Sequence, residues 1–137
     1  MRENMTFILI DDSFSSNLYH KVMMEDAGID IQNSVKEFIS STEAKDYFQN
    51  LFDKSHFEKF PNYILLDINI PMLNGWEIVT YLESLDLREN EPKVYMVSNS
   101  RNPLDLEKAK AHNIVEDILE KHVTQAFFEK LIFDHSK

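Results

Sequence analysis

The 137-residue chain contains no cysteine, which excludes disulfides and thiolate metal sites and points to a reducing compartment. Glycine occurs twice and proline four times, and no linker, low-complexity tract or internal repeat interrupts the chain. Basic residues are outnumbered, with 14 Lys and Arg against 24 Asp and Glu for a net charge of −10. A phosphate backbone would be repelled, and no Lys/Arg cluster offers a local exception, so direct nucleic-acid binding is not expected. No apolar run approaches the length of a membrane span. The first eleven residues, Met1 to Asp11, hold too short an apolar run for a signal peptide and end in acid. A cytoplasmic location without membrane insertion is the expectation. What remains is 43% hydrophobic and 28% charged, a globular mix of a length that suits one domain over residues 1–137.

Two continuous apolar runs stand out. Tyr63-Ile64-Leu65-Leu66 and Phe7-Ile8-Leu9-Ile10 read as strands buried on both faces, as in a parallel sheet. Each ends in acid: Asp67 after the first, Asp11 and Asp12 after the second. Pro71 cannot continue a central strand and Asn74-Gly75 is a turn dipeptide, so the chain leaves the sheet just after Asp67.

Helical patterns separate the strands. Ser13 or Ser15 can cap a helix with Leu18, Val22 and Met23 on its packed side, closed by Gly28. Ser34 to Ile39 is a weaker strand, with Val35 its best core residue; Ser40 and Glu43 then have capping-box spacing before Ala44, Phe48, Leu51 and Phe52. Ile78, Val79, Leu82 and Leu85 mark the next helix, and Val94 to Val97 a fourth strand ending in Ser98. Pro103 opens a helix bearing Leu104, Leu106, Ala109 and Ala111. Asp117 to Glu120 form a short fifth strand before Lys121, and a last helix from near Thr124 carries Phe127, Phe128, Leu131 and Ile132. Five alternations of strand and helix predict an α/β fold: a doubly wound five-stranded parallel sheet with helices on both faces. In the flavodoxin-like order 2-1-3-4-5, strands one and three meet at the switch point. On that order Asp11, Asp12, Asp67, Ser98 and Lys121 all emerge at one edge of the sheet.

Carboxylates about 5 Å apart repel by roughly 3 kcal/mol per pair at an effective dielectric near 20. A hard divalent cation removes the conflict, and oxygen donors without His or Cys favour Mg²⁺, or Mn²⁺, over zinc. Lys121 adds a point charge suited to a phosphoryl group and Ser98 a hydroxyl donor. A carboxylate nucleophile with these companions makes a phosphoryl-transfer site.

The acid pair Asp11-Asp12, the stretch NYILLDINIPMLNG around Asp67, Ser98 and Lys121 together resemble a response-regulator receiver domain, over nearly the whole chain. The resemblance implies that Asp67 accepts a phosphoryl group from a phosphohistidine on a sensor histidine kinase or a histidine phosphotransfer protein. Asp12 and Asp67 would ligate Mg²⁺ with the backbone carbonyl of Asn69, and Asp11 would act mainly through water. Lys121 and Ser98 would hold the phosphoryl oxygens. With no second domain following, the chain is similar to stand-alone receivers, which signal by binding a downstream protein and are not turnover enzymes. Two residues depart from the family pattern. His122 stands where a proline usually follows the lysine in cis. A non-proline cis bond costs about 2.5–4 kcal/mol, so either His122 is held cis or the peptide is trans and Lys121 is displaced, and the cost favours trans. Ile118 occupies the place of an aromatic that many receivers reorient, which removes a ring-flip switch there.

Other readings compete. A haloacid-dehalogenase-like phosphatase or phosphotransferase also uses an Asp after a buried strand. It needs an acid two residues on, where this chain has Asn69, and a carboxamide cannot retrieve a proton. A degenerate receiver serving only as a docking surface is the other rival. A calcium loop starting at Asp67 fails, because its sixth position is Met72 and its twelfth Ile78. The five histidines make no metal spacing and read as solvated surface. Trp76 reads as a helix residue packing near the site.

Overall fold

The computed structural model describes residues 5–137. Five strands, β1 (Phe7–Ile10), β2 (Val35–Phe38), β3 (Tyr63–Asp67), β4 (Lys93–Ser98) and β5 (Val115–Glu120), alternate with helices. The major helices are α1 (Phe14–Asp26), α3 (Ser41–Asp53), α4 (Gly75–Ser84), α5 (Pro103–Lys110) and α6 (Gln125–His135). A single-turn helix, α2 (Ile31–Ser34), precedes β2 and was not anticipated. It is too short to show a hydrophobic period, and only the capping Asp30 marks its start. The strands form one sheet in the order β2-β1-β3-β4-β5, every pair parallel. This is the doubly wound, flavodoxin-like order that was expected by analogy.

Alternate residues of the central strands feed two cores. Ile8, Ile10, Ile64, Leu66, Val94 and Met96 pack with Ala44 and Phe48 of α3 and Ile78, Val79 and Leu82 of α4. Phe7, Leu9, Tyr63, Leu65 and Val97 face the other way, toward Met24 of α1 and Phe128 and Leu131 of α6. Continuous apolar runs are therefore what a sheet covered on both sides requires. Local signals start each helix. Ser13, Ser40 and Thr124 each accept a backbone N–H of the first turn. Asn74 and Glu77 form a reciprocal capping box for α4.

Helix α1 corrects the sequence reading. Leu18 and Val22, expected in the core, are 48% and 44% exposed, while Ser16, Asn17, His20 and Met24 are buried. The polar residues turn inward because they hold backbone at the sheet edge, as described below. Leu104 is also exposed rather than packed. The histidines depart as well: His20 is buried, His112 pairs with Glu83, His135 bonds Tyr63, and only His122 is largely exposed. Among the described residues no helix is long and apolar enough to cross a membrane.

Candidate functional site

Strand β1 pairs with β3 so that Ile10 lies beside Leu66, and the residues that follow, Asp11 and Asp67, leave the sheet side by side. Both are buried, and Asp12 is exposed. One carboxylate oxygen from each of the three lies within 4.8 Å of the others. The turn after Asp67 is held close to the sheet: Asn69 N–H donates to Asp67 Oδ1 at 3.0 Å, and Gly75 N–H to the Ile68 carbonyl at 2.9 Å. A Cβ on Gly75 would come within 2.8 Å of both the Asp67 carbonyl and Ile68 Cα. Only glycine allows α4 to start so near the site.

Lys121 is not displaced. Its ammonium lies 2.8 Å from Asp11 Oδ2 and 3.5 Å from Asp67 Oδ2, with little of any of the three side chains exposed. The Lys121–His122 peptide is cis, correcting the trans expectation. The His122 ring takes the place of the proline, lying against Tyr19 and His20 with Nε2 3.1 Å from Ser16 Oγ. Burial works against the Lys121 charge, but hydrogen bonding and attraction to Asp11, then Asp67, outweigh it and raise its pKa. Asp67 is raised too, first by burial and further by the Asp11 charge, despite the Asn69 N–H and Lys121. The two directions agree once the distances are compared, since the lysine's closer partner is Asp11. Lys121 thus neutralises one carboxylate of three, and the all-oxygen donor set left over fits a hard divalent cation.

Ser98 is buried at the end of β4, one residue past Val97, the partner of Asp67 in the sheet. Its hydroxyl donates to the Ser100 carbonyl at 2.8 Å, so it faces its own turn rather than the carboxylates. Its carbonyl accepts the Lys121 N–H at 2.8 Å, tying the ends of β4 and β5 together. Asn69 is exposed in the turn beyond Asp67. Ile118 is 1% exposed in the core. Trp76 is buried on α4, where Nε1 donates to Asp105 at 3.0 Å and the ring stacks on His112.

The sequence reading missed three residues of α1. Asn17 Nδ2 donates to the Asp11 carbonyl at 3.0 Å, Ser16 meets His122, and His20 Nε2 accepts Val123 N–H at 3.0 Å. Their signal is faint: polar side chains one helical turn apart, just after the acid pair, on the side that an apolar stripe would leave to solvent.

No family model matches the chain, and neither does any curated protein sequence. Solved structures do. A two-component response regulator from Cytophaga hutchinsonii superposes with a TM-score of 0.79 at 24% identity, covering 98% of both chains. A response regulator receiver protein from Dyadobacter fermentans gives 0.73 at 25% identity, covering 96% of this chain and 97% of that one. The chemotaxis response regulator CheY4 of Vibrio cholerae gives 0.73 at 19%, covering 97% and 99%. The chain has the receiver-domain fold of the response regulators that it resembles.

Proposed function

We propose that the protein is a phosphoacceptor of a two-component or phosphorelay system. It would take a phosphoryl group onto Asp67 from a phosphohistidine of a sensor histidine kinase or histidine phosphotransfer protein. The observation that carries this reading is the convergence of Asp11, Asp12 and Asp67, within 4.8 Å of one another, with the ammonium of Lys121 on Asp11 and Asp67. An Asp67 oxygen attacks phosphorus, forming an O–P bond as the P–N bond breaks; the electron pair returns to the imidazole nitrogen of the donor, which takes up a proton. Asp11, Asp12, Asp67 and the Asn69 carbonyl would hold Mg²⁺ or Mn²⁺, which supplies positive charge to the transferring oxygens.

Lys121, already between two carboxylates, orients its charge at the incoming phosphoryl oxygens. Ser98, whose hydroxyl donates to the Ser100 carbonyl, would have to turn from it to donate to the phosphoryl group. The exposed stripe of Phe14, Leu18 and Val22 begins two residues after Asp12, where it suits contact with the donor protein. Phosphorylation would then alter the surface that binds a downstream protein, making the chain a signalling component rather than a turnover enzyme. Incubation with acetyl phosphate and Mg²⁺ should add one phosphoryl group to the wild type and none to Asp67→Asn, with circular dichroism unchanged. Equal labelling of that variant would falsify the assignment, and steady phosphate release from small monoesters would favour a phosphatase.

A further inference from the structure

We propose that His20 is a positioning residue for Lys121: it holds the backbone just past the lysine and so fixes the ammonium between Asp11 and Asp67. The inference rests on the phosphoacceptor reading of Asp67 and adds to it the part that fixes the lysine.

The segment that carries Lys121 has little support from the sheet. Strand β5 ends at Glu120 and α6 begins at Gln125. After the Lys121 N–H bonds the Ser98 carbonyl, the chain leaves the ladder. The next buried N–H, that of Val123, goes to the His20 ring at 3.0 Å. A backbone amide can only donate, so Nε2 must carry the lone pair and the ring proton sits on Nδ1. That bond exists only for the neutral ring. Burial, followed by the nearby His122, lowers the His20 pKa to about 4, which keeps it neutral under ordinary conditions.

The neighbours of His20 act on the same edge. Ser16 meets His122, one residue after Lys121, while Asn17 holds the Asp11 carbonyl. Helix α1 thereby ties the backbone of one lysine partner, Asp11, to the backbone beyond the lysine itself. His20 is 2% exposed and packs in the region of Leu9, Leu65 and Val97, with Asp11, Asn17 and Asp67 also nearby. A hydrophobic side chain would suit the first three at least as well, and burying an imidazole is unfavourable unless it bonds. The acceptor, not the bulk, is what the position supplies. A flexible lysine stem needs such a fixed base, because displacement of about 1 Å in a reacting group can cost about a hundredfold in rate.

His20→Gln keeps an acceptor at a similar reach, and His20→Leu keeps the volume without one. Labelling by acetyl phosphate in saturating Mg²⁺ should be about tenfold or more slower in His20→Leu and within about threefold of wild type in His20→Gln. A packing role alone would not separate the two variants in that direction. Wild-type rates in His20→Leu, or an equal loss in both variants, overturn the proposal. Nitrogen-15 NMR supplies a readout that does not depend on labelling. Wild-type His20 should show the Nδ1-protonated tautomer, and the Val123 amide and Lys121 Nζ resonances should move in His20→Leu but stay in place in His20→Gln. An Nε2-protonated ring in the wild type overturns the proposal even if His20→Leu fails to fold. A wild type that resists labelling while these spectra behave as stated defeats the phosphoacceptor reading and leaves the lysine's anchor standing.

Discussion

The two flanks of the sheet are built by different rules. On one side, α3 and α4 bury Ala44, Phe48, Leu51, Ile78, Val79 and Leu82, and the one buried polar side chain they carry is Ser41 at the start of α3, which bonds the Pro71 carbonyl and the Leu73 N–H. On the other, α1 buries Ser16, Asn17 and His20 and leaves Phe14, Leu18, Tyr19 and Val22 more than 40% exposed. The first flank follows the hydrophobic effect. On the second, Met24, Phe128 and Leu131 still pack on the sheet, but the rest of the inward face of α1 is set by hydrogen bonds to Asp11, His122 and Val123. Where a helix borders a charged site, the backbone groups it must satisfy can decide which face turns inward.

That contrast can be broken by mutation. Phe48→Ala, on the apolar flank, removes a fully buried ring stacked 5.6 Å from Phe60. It should cost about 4 kcal/mol in urea unfolding, the largest effect here, without changing the chemistry at Asp67. On the polar flank the signature is pH dependence. His20 titrates at about 4 in the folded chain against an ordinary 6.5, so the unfolded chain binds the extra proton first. The stabilisation from keeping it neutral is complete above 6.5 and is lost as pH falls toward 4. The stability of the wild type should therefore fall relative to His20→Gln across that window, by up to ~3 kcal/mol. Parallel stability curves for the two proteins would remove the distinction between the flanks.

Gly75→Ala tests the junction between them, where the added methyl meets backbone at 2.8 Å. Overpacking there should cost ~2 kcal/mol and slow labelling, since the carbonyl it strikes belongs to Asp67. Leu18→Ser should change stability by no more than about 0.5 kcal/mol, as an exposed position does. It should slow transfer from a phosphohistidine protein while leaving labelling by acetyl phosphate unchanged. Slowing of both would mean that the stripe supports the fold rather than a partner.

The same contrast explains what was legible in the sequence. The β3 run ending in Asp67, the β1 run ending in Asp11 and Asp12, and the Asn74-Gly75 turn are local signals, and the structure forms each where the residues indicate. The alternation of elements indicated a parallel sheet covered on both faces, while its strand order came by analogy with the flavodoxin-like arrangement and is the order observed. The inward face of α1 was not legible, because hydrophobic period reports only the apolar rule, and the groups that reverse it, Asp11 and Val123, lie six residues before Asn17 and 103 after His20. The peptide after Lys121 was misjudged for a related reason. Its surroundings, Ser16, Tyr19 and His20, come from the far end of the chain, and no local preference encodes them.

The most direct test is to find the atom that carries the phosphoryl group. After acetyl phosphate treatment with Mg²⁺, borohydride reduction converts an aspartyl phosphate to an alcohol, which peptide mass spectrometry can place. The account requires that change at residue 67 alone, absent when the metal is chelated. Modification at another residue, or none under conditions that label a known receiver, would contradict it.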